Sequence, residues 1–226
     1  MKILINDLMQ YSDAPDEIKS PSLSDAYRTE TYFTATFDDP VTINCIGIGY
    51  TDATEVTISS GDEYSDQVIA ITQDAPYHNG LYLLDEMTSD TFTVSHNGNF
   101  IGRVGIGIYR TLGTNVTKEI GFYTTSESRV TLSGQVIPGA GGYNGRRFDA
   151  DVRYKIDDDI YDDILAAYTS QIMKGFPYFL LLDDEQHKLP ATMLHFYAST
   201  DKPLSMLQSS TYRFLYSYKF QFYERF

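Results

Sequence analysis

The fold class follows from one stretch of the sequence, FTATFDDPVTINC at residues 33–45. On both sides of Asp38-Asp39-Pro40, apolar residues alternate with threonine or asparagine, so every second side chain shares a face. This period of two is typical of a strand with one buried face, and an Asp-Asp-Pro sequence is a turn signal. The stretch therefore predicts a strand, a turn and a second strand.

Further short segments of this kind follow as far as residue 132, with turn-forming residues between them. Eight or nine strands spaced in this way predict an antiparallel β-sandwich, or jelly roll, for the N-terminal part of the chain. The segments are residues 56–59, 67–72, 81–84, 91–95, 100–109, 118–124 and 129–132, and the turns are 60–62, 78–80 and 97–99.

The charge of the chain limits its partners. The 226 residues include 17 Lys and Arg against 31 Asp and Glu, which gives a net charge of −14. Nucleic acids and anionic membranes are bound through clustered basic residues, so we expect no nucleic acid as the main partner. No apolar run approaches the roughly 20 residues of a membrane-spanning helix, so we expect no membrane insertion.

Two features of the predicted strands concern close packing. Cys45 is the single cysteine and is flanked by Ile43 and Ile46, which predicts a small buried side chain rather than a nucleophile. Glycine alternates with isoleucine at residues 47–49 and again at 105–108. Alternating glycines remove the side chains from one face of a strand, and we interpret them as sites of tight packing.

The sequence pattern divides the chain into two units. Residues 138–145, PGAGGYNG, predict a glycine-rich linker between a β-sandwich domain at 1–137 and a smaller α+β unit at 146–226. In the second unit, residues 148–156 alternate as a strand does, and residues 160–172 have helical spacing. We therefore predict one helix laid on a sheet in this unit.

The end of the chain predicts an assembly interface. Its last strand carries a row of aromatic residues on one face, and the predicted helix is too short to cover all of them. Contiguous exposed apolar area usually marks an interface, so we predict a homo-oligomer or a complex with other proteins. The row consists of Tyr212, Phe214, Tyr216, Tyr218, Phe220 and Phe222.

The polar residues give no pattern of catalysis. Five aspartates at residues 157–163 lie where the predicted helix at 160–172 begins, so we interpret them as N-terminal helix charges; the alternative is a metal site or the carboxylate pair of a hydrolase. The histidines match no metal-site or triad spacing, and two of them are expected in solvated turns, His78 and His96. We predict no catalytic residue, no metal and no cofactor.

A second function is open on the loops of the predicted sandwich. Aromatic rings can stack on sugar rings while planar polar groups bind the sugar hydroxyls, which favours a carbohydrate-binding or receptor-binding module. The other interpretation is that these residues form ordinary turns. The loop residues are Tyr50, Asp52, Tyr77, His78, Asn79 and Arg110.

Several stretches resemble proteins of tailed-bacteriophage virions. Residues 24–37, 41–49 and 100–107 are similar to the galactose-binding-like (discoidin-like) jelly rolls of such proteins, and residues 145–155, 175–179 and 214–226 are similar to tail and neck proteins. The resemblance implies a non-enzymatic structural subunit of the tail, neck or baseplate, assembled in the host cytoplasm with other virion proteins. It also implies that cell-surface glycans are candidate ligands.

Overall fold

The computed structural model describes thirteen segments of the chain: residues 2–4, 7–20, 25–61, 66–71, 78–111, 116–124, 129–130, 136–137, 144–155, 178–181, 193–198, 205–208 and 216–224. They contain a short 3₁₀ helix at Leu8–Tyr11 and one α-helix, α1, at Asp16–Lys19. The strands are β1 (Lys2–Leu4), β2 (Tyr32–Thr51), β3 (Glu55–Ser59), β4 (Gln67–Ala70), β5 (His78–His96), β6 (Ile101–Gly107), β7 (Tyr109–Thr111), β8 (Val116–Thr124), β9 (Arg129–Val130), β10 (Val136–Ile137), β11 (Asn144–Lys155), β12 (Tyr178–Leu181), β13 (Met193–Ala198), β14 (Ser205–Gln208) and β15 (Tyr216–Glu224).

The first sheet has five antiparallel strands in the order β4-β3-β5-β2-β6. Strand β2 continues without interruption through residues 38–40, so the predicted turn at this point is wrong. The pairing of β2 with β5 shifts between Thr36 and Val41 instead. Extra residues in one strand can be accommodated as a bulge, which bends the strand without reversing it. The segments 33–37 and 41–45 are therefore two halves of one strand.

The main core lies on one face of this sheet. Phe33, Ala35 and Phe37 alternate inward, as the sequence predicts, and each is less than a tenth exposed. Met9 and Ile18, from the 3₁₀ helix and α1, belong to the same core. The N-terminal segment thus covers part of the sheet, with both helices against β6.

The second sheet has eight strands, in the order β7-β1-β12-β13-β15-β11-β8 with β14 beside β15. It joins distant parts of the chain, since Lys2 is paired with Leu181 and Ile120 with Phe148. Strand β11 begins at Asn144, within the predicted linker at 138–145. The rest of that linker and the predicted helix at 160–172 lie outside the described residues, and the division into two folding units stays a prediction.

The two sheets contact each other through a second, smaller core. Leu4, Phe179 and Leu181 of the eight-stranded sheet pack with Cys45 and Leu81 of the five-stranded one. Cys45 is fully buried, which confirms the prediction for this residue.

The glycine-isoleucine repeats meet at the same contact. Gly47 is paired with Gly105 across β2 and β6, and both face the ring of Phe179. The interpretation as a site of tight packing is confirmed for Gly47 and Gly105. The chain is thus a mainly β protein with antiparallel sheets, as predicted.

Candidate functional site

Two loops of the five-stranded sheet hold each other through polar side chains, and we call residues 51–55 and 97–100 the paired loops. Asp52 Oδ1 accepts hydrogen bonds from the backbone N–H groups of Asn99 (2.8 Å) and Phe100 (3.1 Å). Its Oδ2 accepts a third from the Asn99 side-chain amide at 2.8 Å. Burial alone would raise the pKa of Asp52, but these hydrogen bonds outweigh it and the pKa is lowered.

Asn97 makes the reciprocal contacts from the other loop. Its Oδ1 accepts from the backbone N–H groups of Thr54 at 2.9 Å and Glu55 at 3.1 Å, and its amide donates to Thr54 Oγ1 at 2.9 Å. A Cβ at Gly98 would lie 2.4 Å from Asp52 Oδ1, so the approach of the two loops requires glycine there. The turn predicted at residues 97–99 is confirmed, and its side chains are engaged within the fold.

An aromatic pair lies next to the paired loops. The ring centroids of Tyr50 and Phe100 are 5.1 Å apart. The Arg28 guanidinium carbon lies 4.5 Å from the centroid of the Phe100 ring and makes a cation–π contact with it. Tyr50 has a φ of 58°, a left-handed conformation that costs free energy for a residue with a side chain. Contacts of the surrounding structure therefore hold Tyr50 in place.

His96 contradicts the prediction that it lies in a solvated turn. It ends β5 and is only 7% exposed. Burial lowers the pKa of its imidazole, and the Asp52 carboxylate together with backbone groups of Gly98 and Glu30 counteracts this only in part. The buried site between the paired loops and the segment that precedes β2 therefore favours the neutral form of the imidazole.

We expect His96 to make the protein acid-sensitive. Its pKa is lowered in the folded state, so the unfolded chain binds the proton more readily as the pH falls below about 6.5. Stability is then lost toward acid pH, by at most about 1.4 kcal/mol per pH unit. Urea unfolding at pH 7, 6 and 5 should show a smaller loss for His96→Gln than for the unchanged chain. Equal losses in His96→Gln and in the unchanged chain would contradict the prediction.

A second polar cluster lies deep in the protein. Arg103 Nη2 donates to Asp7 Oδ2 at 2.5 Å, and both side chains are at most 3% exposed. Arg103 Nη1 also donates to the carbonyls of Lys19 (2.7 Å) and Ser20 (3.1 Å) at the end of α1. Asp7 Oδ1 accepts from the backbone N–H of Met9 at 3.2 Å. This ion pair fastens the N-terminal segment to β6.

Sequence reasoning missed this ion pair, although a signal for it exists. Arg103 is the single charged residue of the strand IGRVGIG, every residue of which is buried. A guanidinium within such a strand needs an acidic partner and carbonyl acceptors, because a charge is costly to bury unpaired. The pattern does not indicate which of the chain's acids supplies the partner.

The structure brings only part of the predicted sugar-binding set together. Thr51 lies between Tyr50 and Asp52 and is paired with His78. The backbones of Tyr50, Asp52 and His78 therefore lie near one another at the end of β2. Arg110 is exposed on β7 of the eight-stranded sheet, where it is paired with Ile3 of β1. Tyr77 and the side chains of His78 and Asn79 lie outside the described part of the chain. Strand β6 begins beside Thr51 and ends at Gly107 beside Cys45, so Arg110 lies beyond the end of β6 that is farther from Asp52.

The predicted assembly residues lie on a strand with neighbours on both sides. Tyr216, Tyr218, Phe220 and Phe222 belong to β15, which pairs with β11 on one side and with β13 and β14 on the other. Tyr212, Phe214 and the aspartates at 157–163 lie outside the described residues. An interface on β15 would therefore use a face of the sheet and not a free edge.

Comparisons with known proteins add no relative. No protein-family model matches the chain, and no curated protein matches its sequence. Among the described residues, no group of three or more His, Cys, Asp or Glu is placed to hold a metal ion. Neither described helix is long and apolar enough to cross a membrane.

Proposed function

We propose that the chain is a non-enzymatic structural subunit that assembles through protein–protein contacts. One observation on the described residues supports the non-enzymatic part: Asp52, Asp7 and Arg103, which form the polar clusters described above, are engaged in holding the fold together. Both Asp52 oxygens accept hydrogen bonds from the facing loop, and Asp7 and Arg103 are paired and buried. A catalytic acid or base must instead be able to reach a substrate.

The setting we propose is a tailed-phage particle, in its tail, neck or baseplate. The resemblance of residues 24–37, 41–49 and 100–107 to galactose-binding-like jelly rolls supports this, as does the mainly β architecture with antiparallel sheets. Its partners would be further copies of the chain and other virion proteins, joined in the host cytoplasm. The net charge of −14 favours such protein contacts over nucleic acid.

The proposed interface is the aromatic face of β15. The eight-stranded sheet contacts the five-stranded sheet through β1, β12 and β13, so β15, β11 and β8 continue beyond this contact. The period-two pattern of the sequence predicts that Tyr218, Phe220 and Phe222 share one face of β15. Aromatic residues are enriched at the centres of protein interfaces, where they bury large areas.

A matched pair of point variants tests the assembly. We expect mass photometry of the full chain to show an oligomer that Phe220→Asp dissociates, because a carboxylate would be buried in the interface. Lys219→Asp, on the opposite face of β15, should leave the oligomer intact. Truncation at residue 143 is unsuitable, since β8 pairs with β11 and β1 with β12.

Folding and assembly are separated by a thermal melt of each variant. A folded Phe220→Asp chain that has lost its oligomer supports the proposal. A full chain that stays monomeric at every concentration and binds no virion component would refute it.

A further inference from the structure

A short segment closes one end of the main core, and we call its residues, 27–31, the strap. The backbones of Tyr27 and Ile101 exchange two hydrogen bonds, of 2.8 and 3.2 Å. At the other end of the strap, the Thr31 carbonyl accepts a hydrogen bond from the backbone N–H of His96 at 2.8 Å. The strap is therefore attached to the five-stranded sheet at both of its ends.

The His96 imidazole lies on the core side of this sheet. His96 is paired with Val56, whose side chain is fully buried in the main core. Residues directly opposite each other on neighbouring strands share a face of the sheet. The ring is in reach of backbone groups of Gly98 on one side and of Glu30 on the other. It is therefore enclosed at the end of the core, with the strap and the paired loops as its two walls.

The enclosed ring has no hydrogen-bond partner among the described residues. Both of its nitrogens, Nδ1 and Nε2, are buried, and neither makes a hydrogen bond there. Protonation of a neutral imidazole adds a full charge and turns both nitrogens into donors. A buried charge is costly unless it is paired and hydrogen-bonded. The closed site therefore accommodates the neutral ring far better than the imidazolium.

The surrounding charges do not supply the missing partner. The Asp52 carboxylate attracts a proton to the ring, but both of its oxygens already accept hydrogen bonds from the facing loop. Turning it toward His96 would break those bonds. The titratable and charged groups on the elements packed around the ring are Asp52, Glu55, Tyr27, Arg28 and Glu30.

The strap is the weaker of the two walls. The paired loops are joined to each other by six side-chain hydrogen bonds from Asp52 and Asn97. The described polar contacts of the strap are its three backbone hydrogen bonds and the cation–π contact of Arg28 with Phe100. Water can therefore reach the ring most easily by displacing the strap.

We propose that the strap is an acid-released latch: when His96 takes up a proton, residues 27–31 detach from the paired loops while both sheets stay folded. Detachment removes the Tyr27 ring from Phe33, against which it packs edge-on with centroids 6.1 Å apart. The protein would then expose apolar surface at this end of the core in acid and cover it at neutral pH. The latch does not depend on the assembly proposed above.

Amide hydrogen exchange of the full chain, followed by NMR at pH 7 and pH 5, tests this proposal. The amides of Tyr27, His96 and Ile101 bridge the strap and the sheet, so they report its detachment. An imidazole in water titrates near pH 6.5, so their protection, corrected for the intrinsic exchange rate, should fall by up to about twentyfold at pH 5. The amides of Ile46 and Ile48, in the middle of β2 between two neighbouring strands, should keep theirs.

Two variants separate the titration from the attachment. In His96→Gln the side chain stays neutral, so the protection of the strap should be the same at both pH values. Arg28→Ala is the matched control, because it removes the contact with the Phe100 ring but leaves His96 in place. It should lower the protection about two- to fivefold at each pH and keep the ratio between them.

The ring itself provides a measurement that needs no variant. In the unchanged chain, the midpoint of the His96 ring proton titration should coincide with the midpoint of the loss of protection. Different midpoints would overturn the proposal, as would pH dependence that survives in His96→Gln. Protection that is equal or higher at pH 5 would also overturn it, since the imidazolium would then be held in the closed site. An equal loss at Ile46 and Ile48 would show unfolding of the whole sheet and would refute a local latch.

Discussion

Replacing Arg103 by leucine should destabilise the fold by about 3–5 kcal/mol, because it leaves the Asp7 carboxylate buried without its partner. The loss extends beyond one ion pair, since the Lys19 and Ser20 carbonyls at the end of α1 also lose their donor. Urea unfolding followed by circular dichroism measures the effect. Arg28→Leu, at an exposed arginine on the Phe100 ring, should cost less than about 1 kcal/mol.

A second substitution identifies the cause of this loss. Asp7→Asn in the Arg103→Leu background removes the buried charge, and its Oδ1 can still accept from Met9. It should regain part of the lost stability, whereas Asp7→Asn alone should destabilise, so the two effects are not additive.

The pH dependence of Arg103→Leu follows from the same pair. Burial raises the pKa of Asp7, and the Arg103 charge lowers it in part. Without Arg103 the folded state binds the proton more readily than the unfolded state, so the defect should shrink as the pH falls toward 4. A loss below about 1 kcal/mol, or no recovery in the double variant, would show that the pair contributes little.

Local periodicity predicted extended segments but neither where the strands end nor which strands pair. The turn predicted at residues 78–80 lies within β5, which also joins the predicted strands 81–84 and 91–95. The alternation of Phe33, Ala35 and Phe37 reflects one buried face, and this is visible within a few residues. The pairing of Lys2 with Leu181 joins residues that no local pattern relates. Residues 38–40 show the same limit, because a turn signal does not reveal whether the chain reverses or bulges.

The candidate site was predictable to a similar degree. The sequence places Tyr50 and Asp52 in one polar, aromatic loop, but their partners Asn99 and Phe100 come from the connection between β5 and β6 and are fixed by the tertiary fold. His96 was misplaced because its neighbours in sequence are turn residues, whereas its burial results from the segment that precedes β2. Side-chain environment thus depended on contacts that spacing does not encode.

Gly47→Ala should destabilise the contact between the two sheets by about 1–3 kcal/mol, as overpacking does. A Cβ on Gly47 would lie 2.2 Å from Cγ of Phe179, and that ring is itself buried among Leu4, Cys45 and Leu81. The ring has little room to move, because protein interiors are close-packed. Gly61→Ala is a contrasting variant, since a Cβ there meets nothing within 4 Å and its cost arises only from a φ of +85°.

The sign of the effect should reverse when the ring is removed. Phe179→Ala alone should cost about 3–5 kcal/mol through the cavity it leaves. In that background Gly47→Ala meets no ring, and it should stabilise by up to about 1 kcal/mol because alanine restricts the unfolded chain. Unfolding free energies of the four chains form a double-mutant cycle, and additive effects would mean that Gly47 and Phe179 do not touch. If the effect of Gly47→Ala changes sign in this way, residue 47 must be glycine because the Phe179 ring of the other sheet packs against it.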